Sequence, residues 1–140
     1  MDIAHLIQAA IAPVFLFSGV AATLGVLTNR LARIVDRARK LEQQLEGHPG
    51  SAQHLHADLA VLARRARYIN VAISLCAIAA LLVALVVVTL FANAFLGSRL
   101  ALTIALLFVG AMLCLSAAFI AFFIEVRLAT ATLRIGPPRA

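Results

Sequence analysis

Chemistry needs titratable or nucleophilic side chains within reach of one another, and in this 140-residue chain they are sparse and scattered. Cys76 and Cys114 both fall inside long apolar runs, where a thiol behaves as a small apolar side chain. If those runs are antiparallel neighbours, the two depths differ by about a helical turn, which argues against a disulfide. The four histidines, His5, His48, His54 and His56, show no helix-spaced pairing with a carboxylate or thiol of the kind a metal site needs. His54 and His56 stand two apart and point in different directions on a helix, so all four read as solvated loop or helix-end residues. The serines and threonines of the apolar runs lack a neighbouring base, so none reads as an activated nucleophile. Glu125 is the one acid among the last forty residues. With Arg127 close by, it reads as an interfacial residue paired with a basic partner. The sharper alternative is a carboxylate kept near a span for function, because such groups are costly there. This inventory predicts no enzyme, no cofactor and no metal.

The elements that must position these residues are set by hydropathy. The hydrophobic fraction is 64%, far above a soluble norm, and three apolar runs carry it: Ile3 to Leu27, Val71 to Leu96 and Leu100 to Ile124. Each is long enough to cross a hydrocarbon core of about 30 Å as a helix. Met1 and Asp2 supply no positive n-region, which speaks against a cleaved signal peptide. Only Gly97, Ser98 and Arg99 separate the second run from the third, so these two should form a tight antiparallel hairpin. Eleven of the twelve basic residues lie between positions 28 and 70 or in the tail, and Arg99 alone lies on the other side. The positive-inside rule then places the N-terminus outside and the C-terminus in the cytoplasm. The same clustering beside spans explains a formal charge of +6 better than nucleic-acid binding does.

The segment from 28 to 70 is itself patterned. Leu27, Leu31, Ile34, Ala38, Leu41 and Leu45 recur at spacings of four and three, as do Leu55, Leu59, Leu62, Ala66, Ile69 and Ile73. Both seams run straight into a span, and a breaker cluster, Gly47-His48-Pro49-Gly50-Ser51, lies between them. The expected fold class is therefore all-α. It comprises one membrane domain over 1–140, with spans at about 3–27, 71–96 and 100–124 and a cytoplasmic antiparallel helical hairpin over about 28–70. The tail, 125–140, should be irregular beyond Leu133 or Arg134.

On the first helix, Gln8, Phe15, Ser18, Ala22, Gly25 and Asn29 fall within one sector at 100° per residue, and Arg33, Asp36, Arg37, Lys40 and Gln44 continue it. One explanation is close helix packing through the small-xxx-small pairs Ala21/Gly25 and Ser18/Ala22. The other is a water-filled pathway lined by this helix, which requires a homo-oligomer because three helices cannot enclose a pore. Phe15 would then be a constriction, with Gln8, Ser18, Ala22 and Asn29 lining wider levels and Arg33 and Arg37 at the inner mouth. Pro13 should bend or soften the helix beside them. Asp36 lies one turn from Arg33 and Lys40 and should pair with them, while Arg30, Arg64, Arg65 and Arg67 are placed to contact anionic lipid. The leading expectation is an ion-conducting pore. Its rival is a non-conducting scaffold whose basic hairpin binds a protein or anionic lipid.

The blocks Ile7-Gln8-Ala9-Ala10-Ile11-Ala12-Pro13-Val14-Phe15-Leu16 and Leu27-Thr28-Asn29-Arg30-Leu31-Ala32-Arg33-Ile34-Val35-Asp36-Arg37-Ala38-Arg39 resemble the DUF2721 family of bacterial membrane proteins. So do Arg64-Arg65-Ala66-Arg67-Tyr68-Ile69-Asn70 and Glu125-Val126-Arg127-Leu128-Ala129, so the resemblance covers nearly the whole chain. It implies a multi-span protein of a bacterial inner membrane and supplies no functional residues.

Overall fold

Strongly apolar residues with few internal breakers leave the backbone little choice but helix, since in a lipid environment each amide must be satisfied within its own segment. The computed structural model describes residues 3–47, 52–97 and 99–133. Within them the chain forms three helices: α1 (Ile3–Gly47), α2 (Ala52–Leu96) and α3 (Ala101–Leu133). All three are long and apolar enough to cross a membrane. At 45 residues each, α1 and α2 run for about 68 Å, more than twice a hydrocarbon core. The protein is an all-α, multi-pass membrane protein. The breaker residues 48–51, Ser98 and the tail from 134 onward, on which the expected ends of α1 and α3 fall, lie outside the described residues.

Burial follows a period of seven. Leu6, Pro13, Val20, Leu27 and Ile34 are buried on α1; Leu55, Leu62, Ile69, Cys76 and Val83 on α2; Ala111, Ala118 and Glu125 on α3. The seams predicted from Leu27 to Leu45 and from Leu55 to Ile73 are inward faces, with every member buried or half-buried.

The chain divides into two compact units. The first (1–25 and 74–118) has a core of small side chains, including Ala10, Val20, Cys76, Ala79, Ala111 and Ala118. Small residues suit packing within lipid, where burial gains nothing from leaving water and close backbone approach supplies the attraction. A Cβ at Gly110 would already meet Leu82 at 3.5 Å. Large apolar residues point outward instead, among them Phe15, Leu81, Val88, Leu102 and Leu113. Such a surface is tolerable only against lipid or another chain. Both cysteines are free thiols.

The α2–α3 turn lies in this unit. Gly97 adopts φ +66°, a left-handed conformation that favours glycine. The amide of Leu100 donates to Oδ1 of Asn93 at 3.1 Å, so a side chain from the end of α2 satisfies a donor at the start of α3. The second unit (26–73 and 119–140) is centred on Leu27, Ile34, Leu55, Leu62, Ile69 and Ala72, a core of bulkier side chains.

Candidate functional site

In the second unit each helix contributes one charged side chain to a common point. Glu125 of α3 occupies the buried seven-residue register after Ala111 and Ala118 and is fully inaccessible. Its Oε1 accepts from Nε of Arg30 on α1 at 2.8 Å and lies 2.7 Å from Nη2 of the same guanidinium. Its Oε2 accepts from Nε of Arg65 on α2 at 3.0 Å. Arg30 also lies over the Phe122 ring, 5.4 Å from its centroid, so its plane is fixed from a second side. Two cations share one carboxylate. The node therefore keeps a net positive charge.

Beside this node opens a cleft of about 550 Å³ lined by Arg30, Arg33 and Arg37 of α1 and by His54, Asp58 and Arg65 of α2. Ile34 and Leu62, both buried, contribute its apolar wall. His54 Nε2 stands 3.7 Å from Asp58 Oδ2, one turn apart on an exposed face. Among the described residues Arg33 and Arg37 form no ion pair.

The basic partner expected for Glu125 is Arg30 together with Arg65, while Arg127 lies over the Phe123 ring at 5.8 Å. Glu125 is fully buried among the chain's own helices. Arg30 and Arg65 direct their Nε donors to Glu125, whereas Arg64 and Arg67 are exposed and point no described contact at a carboxylate. Asp36 makes no ion pair with Arg33 or Lys40 among the described residues. His54 does have a helix-spaced carboxylate, Asp58, which the sequence reading overlooked. The signal was present, since an i, i+4 spacing is the ordinary helical neighbour distance.

The predicted pathway residues all lie on the unburied face of α1. Gln8, Phe15, Ser18 and Ala22 are exposed in the first unit, Phe15 to 74%. Asn29, Arg33 and Arg37 are exposed in the second. Gly25 has open space where a Cβ would be, and Ala21 is exposed. The small-xxx-small pairs thus do not pack against the chain's own helices. The hydroxyls of Thr23, Thr89 and Thr130 donate to carbonyls four residues back, at 2.9, 2.7 and 2.9 Å, and so are committed to their own helices.

The family model for DUF2721, described as a protein of unknown function, matches residues 10–135, and the chain belongs to that family. No curated protein and no solved structure matches it significantly.

Proposed function

We propose that this DUF2721 member is a homo-oligomeric ion channel of a bacterial inner membrane, with the face of α1 that carries Gln8, Phe15, Ser18, Ala22 and Asn29 lining the conduction path. The observation that carries the reading is the division of α1 into two faces. Leu6, Pro13, Val20, Leu27 and Ile34 are buried inside the chain, while the stripe of small and polar residues is left uncovered between apolar flanks that include Ile7, Ile11, Val14 and Val26. A stripe with Gln8 and Asn29 at its ends and small side chains between is poorly matched to lipid and well matched to copies of itself across a wet axis. Phe15 is the bulkiest member and supplies the dewetting constriction. Arg33 and Arg37, unpaired with Asp36, favour anions at the inner mouth. The positive-inside count orients the N-terminus outward and the hairpin toward the cytoplasm. The inward seams along α1 and α2 are coiled-coil-like in period and brace the pore-lining helix from behind.

The test is ion flux in liposomes containing the purified protein. Phe15→Ala should raise flux several-fold over wild type. If both proteins stay at the protein-free background, the channel reading is wrong. A scaffold would instead lose partner capture on Leu41→Glu, with flux at background throughout.

A further inference from the structure

The cleft beside Glu125 collects four arginines, of which the channel reading uses only Arg33 and Arg37. Arg30, Arg33, Arg37 and Arg65 line it, and the carboxylates nearby are Asp58 in the lining and Glu125 beneath. Four arginines against these two carboxylates leave two positive charges over. Glu125 presents no accessible oxygen to the cleft, because it is fully buried behind the two arginines it holds. What it does is hold two guanidiniums from different helices side by side against their mutual repulsion. A guanidinium has five donors in a planar fork, and Arg65 turns its Nε donor to Glu125, so its Nη edge is not used on that carboxylate. Arg33 and Arg37 add two more exposed forks with no carboxylate among the described residues to satisfy them. The volume, about 550 Å³, sits within the range of about 300–1,000 Å³ typical of small-ligand sites.

We infer that this cleft is a binding site for a phosphate group. The chemistry is specific in kind. A phosphate offers several acceptor oxygens in a geometry that arginine forks match bidentately, and a charge near −2 that the surplus in the cleft balances. A carboxylate ligand would leave half of these donors unused. A cation is excluded by four arginines. The buried Glu125 fixes two of the forks before ligand arrives, so less conformational freedom is lost on binding than with surface arginines. The apolar wall of Ile34 and Leu62 gives a glycerol or other carbon framework somewhere to lie. Because Arg30 follows the first apolar run by three residues and Glu125 follows the third directly, a phospholipid headgroup and a soluble phosphomonoester can both reach the site.

The inference shares Arg33 and Arg37 with the channel reading but does not require conduction, and it is tested by binding to delipidated protein in neutral detergent. Calorimetric titration with glycerol 3-phosphate forms one arm. Native mass spectrometry with phosphatidic acid against phosphatidylcholine forms the other. Arg33→Gln combined with Arg37→Gln should weaken binding by at least about tenfold, since each removes charge-assisted donors. Arg39→Gln combined with Lys40→Gln removes the same charge from exposed positions outside the cleft and should leave binding within about twofold. Asp58→Asn should tighten it several-fold, and this variant guards against loss of fold as an explanation. Binding of glycerol 3-phosphate in the absence of lipid identifies a soluble ligand, and retention of phosphatidic acid alone identifies a headgroup. Either supports the site. Equal retention of phosphatidylcholine, no binding in either arm, or equal loss in both double variants overturns it.

Discussion

Replacing Glu125 by glutamine removes one charge and changes almost no volume, which isolates the electrostatic role of the node. In the wild type one buried carboxylate satisfies two guanidiniums, at 2.7 and 3.0 Å. Glutamine keeps one acceptor oxygen and puts an NH2 where the second oxygen was, so one arginine then faces a donor. Breaking a fully buried ion pair by removing one partner costs about 3–5 kcal/mol. Here the arginine side chains are 32% and 18% exposed, so each can recover part of its solvation by turning outward. The retained neutral hydrogen bond offsets about 1 kcal/mol more. The expected loss is therefore about 2–3 kcal/mol, which corresponds to a fall in midpoint of about 5–10 °C.

Thermal unfolding in detergent reads this directly, with a thiol-reactive fluorophore reporting exposure of the buried Cys76. Arg30→Gln and the double variant complete a cycle, in which the two changes should couple by about 1–3 kcal/mol. A buried node is weakly screened, so the loss should be the same at low salt and at about 0.5 M. If Glu125→Gln melts with wild type, or if the cycle is additive within about 0.5 kcal/mol, the carboxylate does not tie the helices and the reasoning fails.

Two further substitutions test other parts of the structure. Gly25→Leu adds a side chain where the chain itself offers open space and replaces the poorest non-proline helix former, so the protomer should be unharmed or gain up to about 1 kcal/mol. If that face meets another copy, light scattering after size exclusion should show loss of the oligomer, and an unchanged mass would exclude the face from the interface. Gly97→Val should cost about 1–2 kcal/mol from the left-handed backbone alone, since nothing crowds the position. Gly97→Asn should recover most of that in the same unfolding assay, and equal destabilisation by both would mean that something other than φ decides.

The three helices were legible because they depend on local features. Apolar runs of span length, seams of four and three, and breakers at Gly47 and Gly97 act within a few residues of where they stand. The face that α1 turns inward was legible for the same reason, as its two sectors differ in composition. The node was not. α3 is apolar on all sides, so no periodicity shows which of its faces points inward, and Glu125 could be placed by depth but not by direction. Only its position seven after Ala118 and fourteen after Ala111 hints at the core register. Nor does one chain say which of the eight arginines and lysines between 28 and 70, or Arg127, would find it. Arg127 is nearest in sequence yet turns toward Phe123, because residues two apart on a helix diverge by about 200°.

An acid in a core register is costly unless its environment makes it indispensable, and here the indispensable quantity is positional. Apolar seams built from Leu and Ile at a seven-residue period tolerate a slip of one period with little change in contact, since one leucine resembles the next. A single carboxylate that must meet one arginine from α1 and one from α2 does not. A slip would leave a buried charge without its partners, at a cost larger than any contact the seam could regain. The node thus fixes the register of all three helices at one level, and everything positioned by α1 relative to α2 inherits that register, including the spacing of Arg33 and Arg37 from Arg65 across the cleft. On this account Glu125 specifies the arrangement more than it stabilises it. Exchanging Arg30, Arg65 and Glu125 together for apolar residues would keep helices that fold and pack, while scattering the guanidiniums on which any recognition of phosphate depends.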